Sequence, residues 1–193
     1  MSDFARCSLV AWLLAACAPA ASEGTSDSST FEPDPGIAAR NVAIVIDDLQ
    51  TFLWNRDLMP QGEGSLQSGG NCLLGGSYTA SGSSTVDGDC ASGTSTATRD
   101  VTFEFSGCEH EGPSLGDSIV FDGTLRWQDT SIYVNTCTEQ ETSNGTFTST
   151  ALDAVGYVSG EVVFEDCTVE LNFSEDELQG RFCEHDVLIE YAD

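Results

Sequence analysis

The stretch Val101-Thr102-Phe103-Glu104-Phe105-Ser106 decides the fold class. Three apolar side chains alternate with polar ones, the period-two pattern of a strand with one face buried. The same alternation recurs downstream. Ile119, Phe121, Gly123, Leu125 and Trp127 interleave with Val120, Asp122, Thr124 and Arg126. Asp122-Gly123 has the composition of a turn, but the apolar phase runs on through it. The expectation is one long strand bent at the glycine.

Further along, Val162-Val163-Phe164 leads into Val169, Leu171 and Phe173 with the phase slipped by one. A slip of one residue without a loop implies a β-bulge, here near Asp166. Ser174 to Glu177 is an acidic turn, and Leu178 to Tyr191 is expected to return as the last strand. Weaker strands are expected at Tyr78–Ser81, Ile132–Val134, Thr146–Thr150 and Tyr157–Val158. Val86-Asp87-Gly88-Asp89 is expected to turn, because Asp-Gly accepts positive φ. Val101–Glu104 before Cys108, followed by Asp122–Leu125, parallels Val162–Glu165 before Cys167, followed by Gln179–Phe182, which reads as a duplicated meander unit.

Upstream of this β-rich region lies one helical pattern, residues 37–59. Val42, Val45, Ile46, Leu49, Phe52 and Leu53 recur at helical spacing, with Asp47, Asp48, Gln50, Asn55 and Arg56 mainly opposite. Pro60 and Gly62 stop it. Its polar face carries acids, which argues against a helix lying on a membrane. The expected architecture is mainly β: one antiparallel sheet with a single N-terminal amphipathic helix. The apolar face (Phe103, Phe105, Phe121, Leu125, Trp127, Phe164, Leu171, Phe173, Phe182, Tyr191) must be covered. One helix cannot cover a flat sheet of seven or eight strands, so the sheet is expected to curl into a barrel or half-barrel around it.

Acidic residues outnumber basic ones 32 to 6, for a formal charge of −26. That balance argues against nucleic acid, which is held by Lys and Arg at phosphates, and against electrostatic adhesion to anionic lipid. It favours a soluble surface that repels its neighbours; buffering of divalent cations is the sharper alternative.

Near the start of the chain stand Arg6, an apolar run from Ser8 to Ala16, and then Cys17. Leu14-Ala15-Ala16-Cys17 resembles the lipobox that ends a bacterial lipoprotein signal peptide. The run is far short of the roughly 20 residues a spanning helix needs. The resemblance implies cleavage before Cys17 and acylation of its thiol, with residues 1–16 removed. Two or more acyl chains then hold the protein durably. The implied location is the bacterial cell envelope, lipid-anchored, at the outer membrane on its periplasmic or surface face. An ordinary secretory signal cut near Ala18 or Ala20-Ala21 is the alternative. Residues 17–36, rich in Ser, Pro, Gly and acids, read as a disordered tether, and 37–193 as the folded domain. The strands of 72–191 also resemble those of uncharacterised envelope lipoproteins rich in Gly, Ser and Thr, a likeness that implies no activity.

Setting aside Cys7 and Cys17 leaves Cys72, Cys90, Cys108, Cys137, Cys167 and Cys183. An even number in an exported chain reads as three disulfides. A turn centred between Glu175 and Asp176 brings Cys167 opposite Cys183 or Glu184, so Cys167–Cys183 is the first expected bridge. The Asp87-Gly88 turn brings Cys72 towards Cys108, leaving Cys90 for Cys137.

Candidate chemistry is sparse. Cys108-Glu109-His110-Glu111 and Cys183-Glu184-His185-Asp186 have metal-ligand residue types, but a disulfide sulfur is a poor ligand. Both histidines are read as solvated loop residues. Asp87-Gly88-Asp89 and Glu175-Asp176-Glu177 lack the spacing of an EF-hand. No nucleophile elbow or phosphate loop is present. No catalytic residue, metal site or cofactor is therefore expected. The expectation is a non-enzymatic structural or interaction module on a lipid anchor at Cys17. The alternative is a carrier of lipid or another apolar ligand, with an open pocket between helix and sheet.

Overall fold

The computed structural model describes residues 34–58, 63–89, 93–134, 139–158 and 160–191. Cys17, Cys90, Cys137, Pro60 and Gly62 therefore lie outside the described residues, as do the signal peptide and nearly all of the tether.

The chain enters the described fold at Asp34. Its carboxylate accepts the N–H of Gly36 at 2.8 Å, and Pro35 takes the first helical position. Proline loses nothing there, since that N–H has no helical partner. Helix α1 runs from Pro35 to Leu53 and continues as a π-helical turn, Trp54–Leu58. The expected helix over 37–59 thus starts two residues earlier, because Asp34 caps it. Residues 35 and 36 belong to its first turn and not to the tether. The helix precedes every strand but does not stand at the N-terminus of the chain.

Eight strands follow: β1 Gly64–Asn71, β2 Gly75–Asp89, β3 Thr94–Glu111, β4 Ser118–Val134, β5 Glu139–Tyr157, β6 Glu161–Phe173, β7 Glu177–Phe182 and β8 His185–Glu190. Each pairs antiparallel with the next, so the sheet is one meander in sequence order. It is not closed: β1 and β8 do not pair.

The alternation at Val101–Phe105 holds, with Val101, Phe103 and Phe105 buried. Gly123 bends β4 without ending it, at φ +110, and a Cβ there would lie 2.6 Å from the Ala151 carbonyl oxygen. Only glycine takes that conformation without strain. The bulge at Asp166 is also present. Glu165 and Asp166 together oppose Asp153, and Asp166 has φ 52.

Three expectations fail. Asp87-Gly88 is not a turn, since Gly88 pairs with Ser95 and Asp89 with Thr94 inside the β2–β3 ladder. The segment from Leu178 to Tyr191 is not one strand. Cys183 (φ 48) and Glu184 (φ 68) form a tight two-residue hairpin turn between β7 and β8. Neither residue is a glycine, so the usual signature is missing. The duplicated meander is not kept in register either. Gly123 faces Phe105, three residues before Cys108, whereas Gly180 faces Leu171, four residues after Cys167.

What the two cysteine segments share is a bulge. Ser106 and Gly107 oppose Asp122, just as Glu165 and Asp166 oppose Asp153. Asp122 accepts the Gly107 N–H and Asp153 accepts the Asp166 N–H, each at 2.7 Å. The two aspartates face each other across β4 and β5.

The helix lies on the apolar face. Ala38, Ala39, Val42, Ala43, Val45, Ile46, Leu49 and Leu53 are all buried. Gln50, expected on the polar side, is buried too. The helix touches β3, β4, β7 and β8, and the π-helical turn touches β1. Phe121, Leu125, Trp127, Leu171 and Phe182 are buried beneath, while Phe164 and Phe173 pack at the margin of the core. Tyr191, expected in that face, is instead partly exposed and donates to Asp47 at 3.0 Å.

Among the described residues, two disulfides brace this arrangement. Cys167–Cys183 joins β6 to the β7–β8 turn, with Cα atoms 4.7 Å apart. Cys72–Cys108 joins the β1–β2 turn to β3. The β6–β7 register, Val169 to Phe182 and Phe173 to Leu178, centres the turn between Glu175 and Asp176 as expected. Cys183→Ser is expected to lower stability by about 3 kcal/mol, from the freed loop of 16 residues. Urea unfolding read by tryptophan fluorescence checks this, and an unchanged midpoint would contradict it.

Candidate functional site

The densest polar chemistry on the inner face is a buried cluster where β3 and β4 meet the π-helical turn. Arg99 comes from β3, and Trp127, Asp129, Ser131 and Tyr133 from β4. Because side chains alternate along a strand, the four β4 residues at i, i+2, i+4 and i+6 share one face. Trp54 descends from the π-helical turn.

Arg99 is only 6% exposed. It donates to Asp129 Oδ2 at 2.7 Å, to Ser131 Oγ at 3.3 Å and to the Tyr133 hydroxyl at 2.5 Å. Its guanidinium carbon stands 4.5 Å from the centre of the Trp54 ring, and Trp54 packs edge-on against Trp127 at 5.4 Å. The pairing of a flat cation with ring faces adds to the ion pair. Ser131 Oγ donates to Asp129 Oδ2 at 2.8 Å. Burial pushes the Asp129 carboxyl above its ordinary range, and Arg99 and Ser131 pull against that shift. Asp129 Oδ1 and Trp127 Nε1 have no hydrogen-bond partner among the described residues.

This set does not make a nucleophile. Ser131 faces a carboxylate already neutralised by Arg99, and no histidine is in reach to take its proton in the way a triad needs. Its physical effect is to fix the end of the helix. Trp54 rests on the cation, and the cation is held by β4.

The histidines sit elsewhere, and the solvation expected of His110 fails. His110 is buried on β3, 5.7 Å from the Phe52 ring, with Nδ1 3.1 Å from the Glu111 carbonyl oxygen. The β3 phase after the Gly107 bulge turns it inward. His185 opens β8, half-buried and 6.1 Å from Phe164. Cys108 and Cys183, their neighbours, are both in disulfides. No group of three metal-ligating side chains is found among the described residues. Glu175-Asp176-Glu177 is the acidic turn expected, closed by the Ser174 N–H donating to the Glu177 carbonyl at 2.8 Å.

Two ion-dipole contacts tie the helix to the sheet edges. Arg56 donates to the Asn71 carbonyl at 2.8 Å, and Tyr78 donates to Asp57. At the other edge Asp47 takes the Tyr191 hydroxyl. Burial raises the Asp47 pKa above 3.8, against the pull of the Tyr191 hydrogen bond, and raises that of Tyr191 too. Sequence reasoning passed over the Arg99 cluster. A signal was there, since Arg99 is out of place in the otherwise apolar phase of Ala97, Val101 and Phe103.

The chain matches no known protein family, no curated protein and no solved structure.

Two variants probe this region. Arg99→Met is expected to cost about 3–5 kcal/mol by leaving Asp129 buried and unpaired, while the R99M/D129L double variant costs less. Urea titration of both checks it; equal losses would mean that the unpaired Asp129 is not the source of the cost. Asp47→Asn tests the raised carboxyl. A carboxyl with a raised folded pKa holds its proton more tightly in the folded chain. It therefore adds stability as pH falls through that raised value, fully so below 3.8, and loses it as pH rises. The stability of the native chain relative to D47N should accordingly shrink between pH 4 and pH 7. A difference constant over that range would contradict the assignment.

Proposed function

We propose that the protein is a non-enzymatic interaction module of the bacterial cell envelope, held to the membrane by acyl chains on Cys17 and spaced from it by the segment that follows. The observation that carries the choice of module over carrier is the placement of α1. The sheet is read as a half-barrel curled about this helix, which meets β3, β4, β7 and β8 while its π-helical turn meets β1. Ala38, Ala39, Val42, Ala43, Val45, Ile46, Leu49 and Leu53 are each 4% exposed or less, with Ile44 and Phe52 packed at the margin. A carrier needs an apolar chamber of several hundred cubic ångströms between lid and sheet, and here the side chains of the lid occupy that position. The two grooves described, near Arg181 and near Leu115, lie outside it.

The anchor follows from Leu14-Ala15-Ala16-Cys17. It supplies membrane attachment for a chain whose charge of −26 would otherwise keep it off anionic lipid. Cells fed a clickable palmitate analogue should label the native protein and not Cys17→Ser. Label retained by Cys17→Ser would remove the anchor. Native mass spectrometry after gentle extraction should show the folded domain without bound lipid. A stoichiometric lipid adduct would favour the carrier.

A further inference from the structure

One end of the sheet gathers most of the exposed apolar side chains. Leu73 and Leu74 stand in the β1–β2 turn, and Leu115 in the β3–β4 connection at residues 112–117. Leu73 and Leu74 are 44% and 48% exposed, and Leu115 is fully exposed. The ladder places them together: the Leu74 N–H donates to the Glu109 carbonyl at 3.1 Å, two residues before the Leu115 loop begins to leave β3. Tyr157, opposite Ser118, and Val155 and Val163, opposite each other, continue the apolar surface onto the outer face. Six of the ten exposed large apolar side chains among the described residues lie at this end. Scattered exposed leucines need no explanation, but a cluster of this kind does.

These leucines stand on braced turns. The Cys72–Cys108 disulfide pins the first turn to β3. In the second, the Gly112 N–H donates to the Asp117 carbonyl at 2.9 Å, and the Asp117 N–H donates to the Ser114 carbonyl at 3.0 Å. A Cβ on Gly112 would fall 2.4 Å from that of Asp117, so the loop closes tightly on itself. Between the turns runs a groove of about 490 Å³ lined by Leu74, Glu111, Pro113, Leu115 and Asp117. Turn backbones already fixed before contact cut the entropy lost on docking.

The charge at this end is mainly negative. Glu109, Glu111 and Asp117 flank the leucines, and the one guanidinium close by, Arg56 on the Asn71 carbonyl, is paired with Asp57. A second copy would bring the same acids to the contact, and an anionic bilayer would be repelled. We infer that this end is a docking surface for a polypeptide segment carrying Lys or Arg beside an apolar side chain. The inference rests on reading the domain as an interaction module; it does not need the Cys17 anchor.

The test uses the purified full chain and fluorescence anisotropy at physiological salt. The probes are a labelled peptide of alternating lysine and leucine and one of alternating lysine and serine, equal in length and charge. The leucine peptide should bind about tenfold tighter, the worth of one well-buried leucine. The L74S/L115S variant should lose that margin and keep its affinity for the serine peptide. Equal binding of the two peptides, or a margin that survives L74S/L115S, overturns the inference. So does binding to phosphatidylcholine vesicles that L115S abolishes, which would assign the surface to lipid. A dimer in sedimentation velocity that L115S dissociates would assign it to a second copy and overturn it equally. Leu115 is fully exposed, so L115S alone should melt at the native temperature and carry the test if L74S/L115S does not fold. Failure of palmitate labelling would leave this result standing, and failure here would leave the anchor standing.

Discussion

A sheet with one apolar face must hide it, and among the described residues one helix is at hand to do so. That constraint explains much of the architecture. The strands of β2 to β5 are long, and a flat sheet of such strands would expose far more apolar surface than one helix can cover. Bulges at Ser106-Gly107 and Glu165-Asp166, together with the bend at Gly123, break the straight run of the strands. Bulges increase local twist. The helix answers by burying more than a stripe. Ala38, Ala39 and Ala43 are small enough for close approach, while Val42, Ile46 and Leu49 reach into the sheet. Arg40, Asp48 and Thr51 are left to solvent.

The anchoring of the helix end shows a second economy. Trp54 could have been packed on aliphatic side chains alone. Instead it rests on a guanidinium that Asp129, Ser131 and Tyr133 orient. A buried ion pair is a poor source of net stability, but it tolerates few alternative geometries. The cluster fixes where the helix ends on the sheet more than how strongly it adheres. The other arginines on the sheet have acidic partners as well, Arg126 with Asp100 at 2.5 Å and Arg181 with Asp186 at 3.8 Å. Burial or pairing thus absorbs the few cations of the sheet, and the remaining acids set the field at its surface.

Much of the fold was legible in the sequence because period two is a direct statement about burial. Val101 to Phe105 and Ile119 to Trp127 read correctly as strands, and the slip between Phe164 and Val169 correctly located a bulge. The Cys167–Cys183 bridge came from the turn centre alone. The errors share a physical cause. Local turn chemistry misled wherever the ladder overrode it: Asp87-Gly88 is held inside β2 by its pairs on β3, and Cys183-Glu184 turns without a glycine because a disulfide and two flanking strands hold it. Strand β1, Gly64–Asn71, left no readable pattern, since Leu66 is its only large apolar residue. The Arg99 cluster and the burial of His110 depend on side chains brought together from distant strands, which no local window contains. Cys72–Cys108 came out right although the turn used to find it was wrong.

The contact between Asp47 and Tyr191 joins residues 144 positions apart. The first element of the domain to leave the ribosome thus docks largely on the last, because α1 packs against β8. Until β8 has paired with β7, the helix has lost one of its principal partners and the apolar face stays partly open. Assembly is therefore tied to completion of the chain, and contacts of such long range make for slow folding. A fragment ending before β8 would present a wet apolar face and an unpaired β7 edge, both of which invite association with other chains. The meander looks modular, with every strand beside its neighbour in sequence. The helix makes it circular in its dependence, so that its two ends stabilise each other or neither is stable.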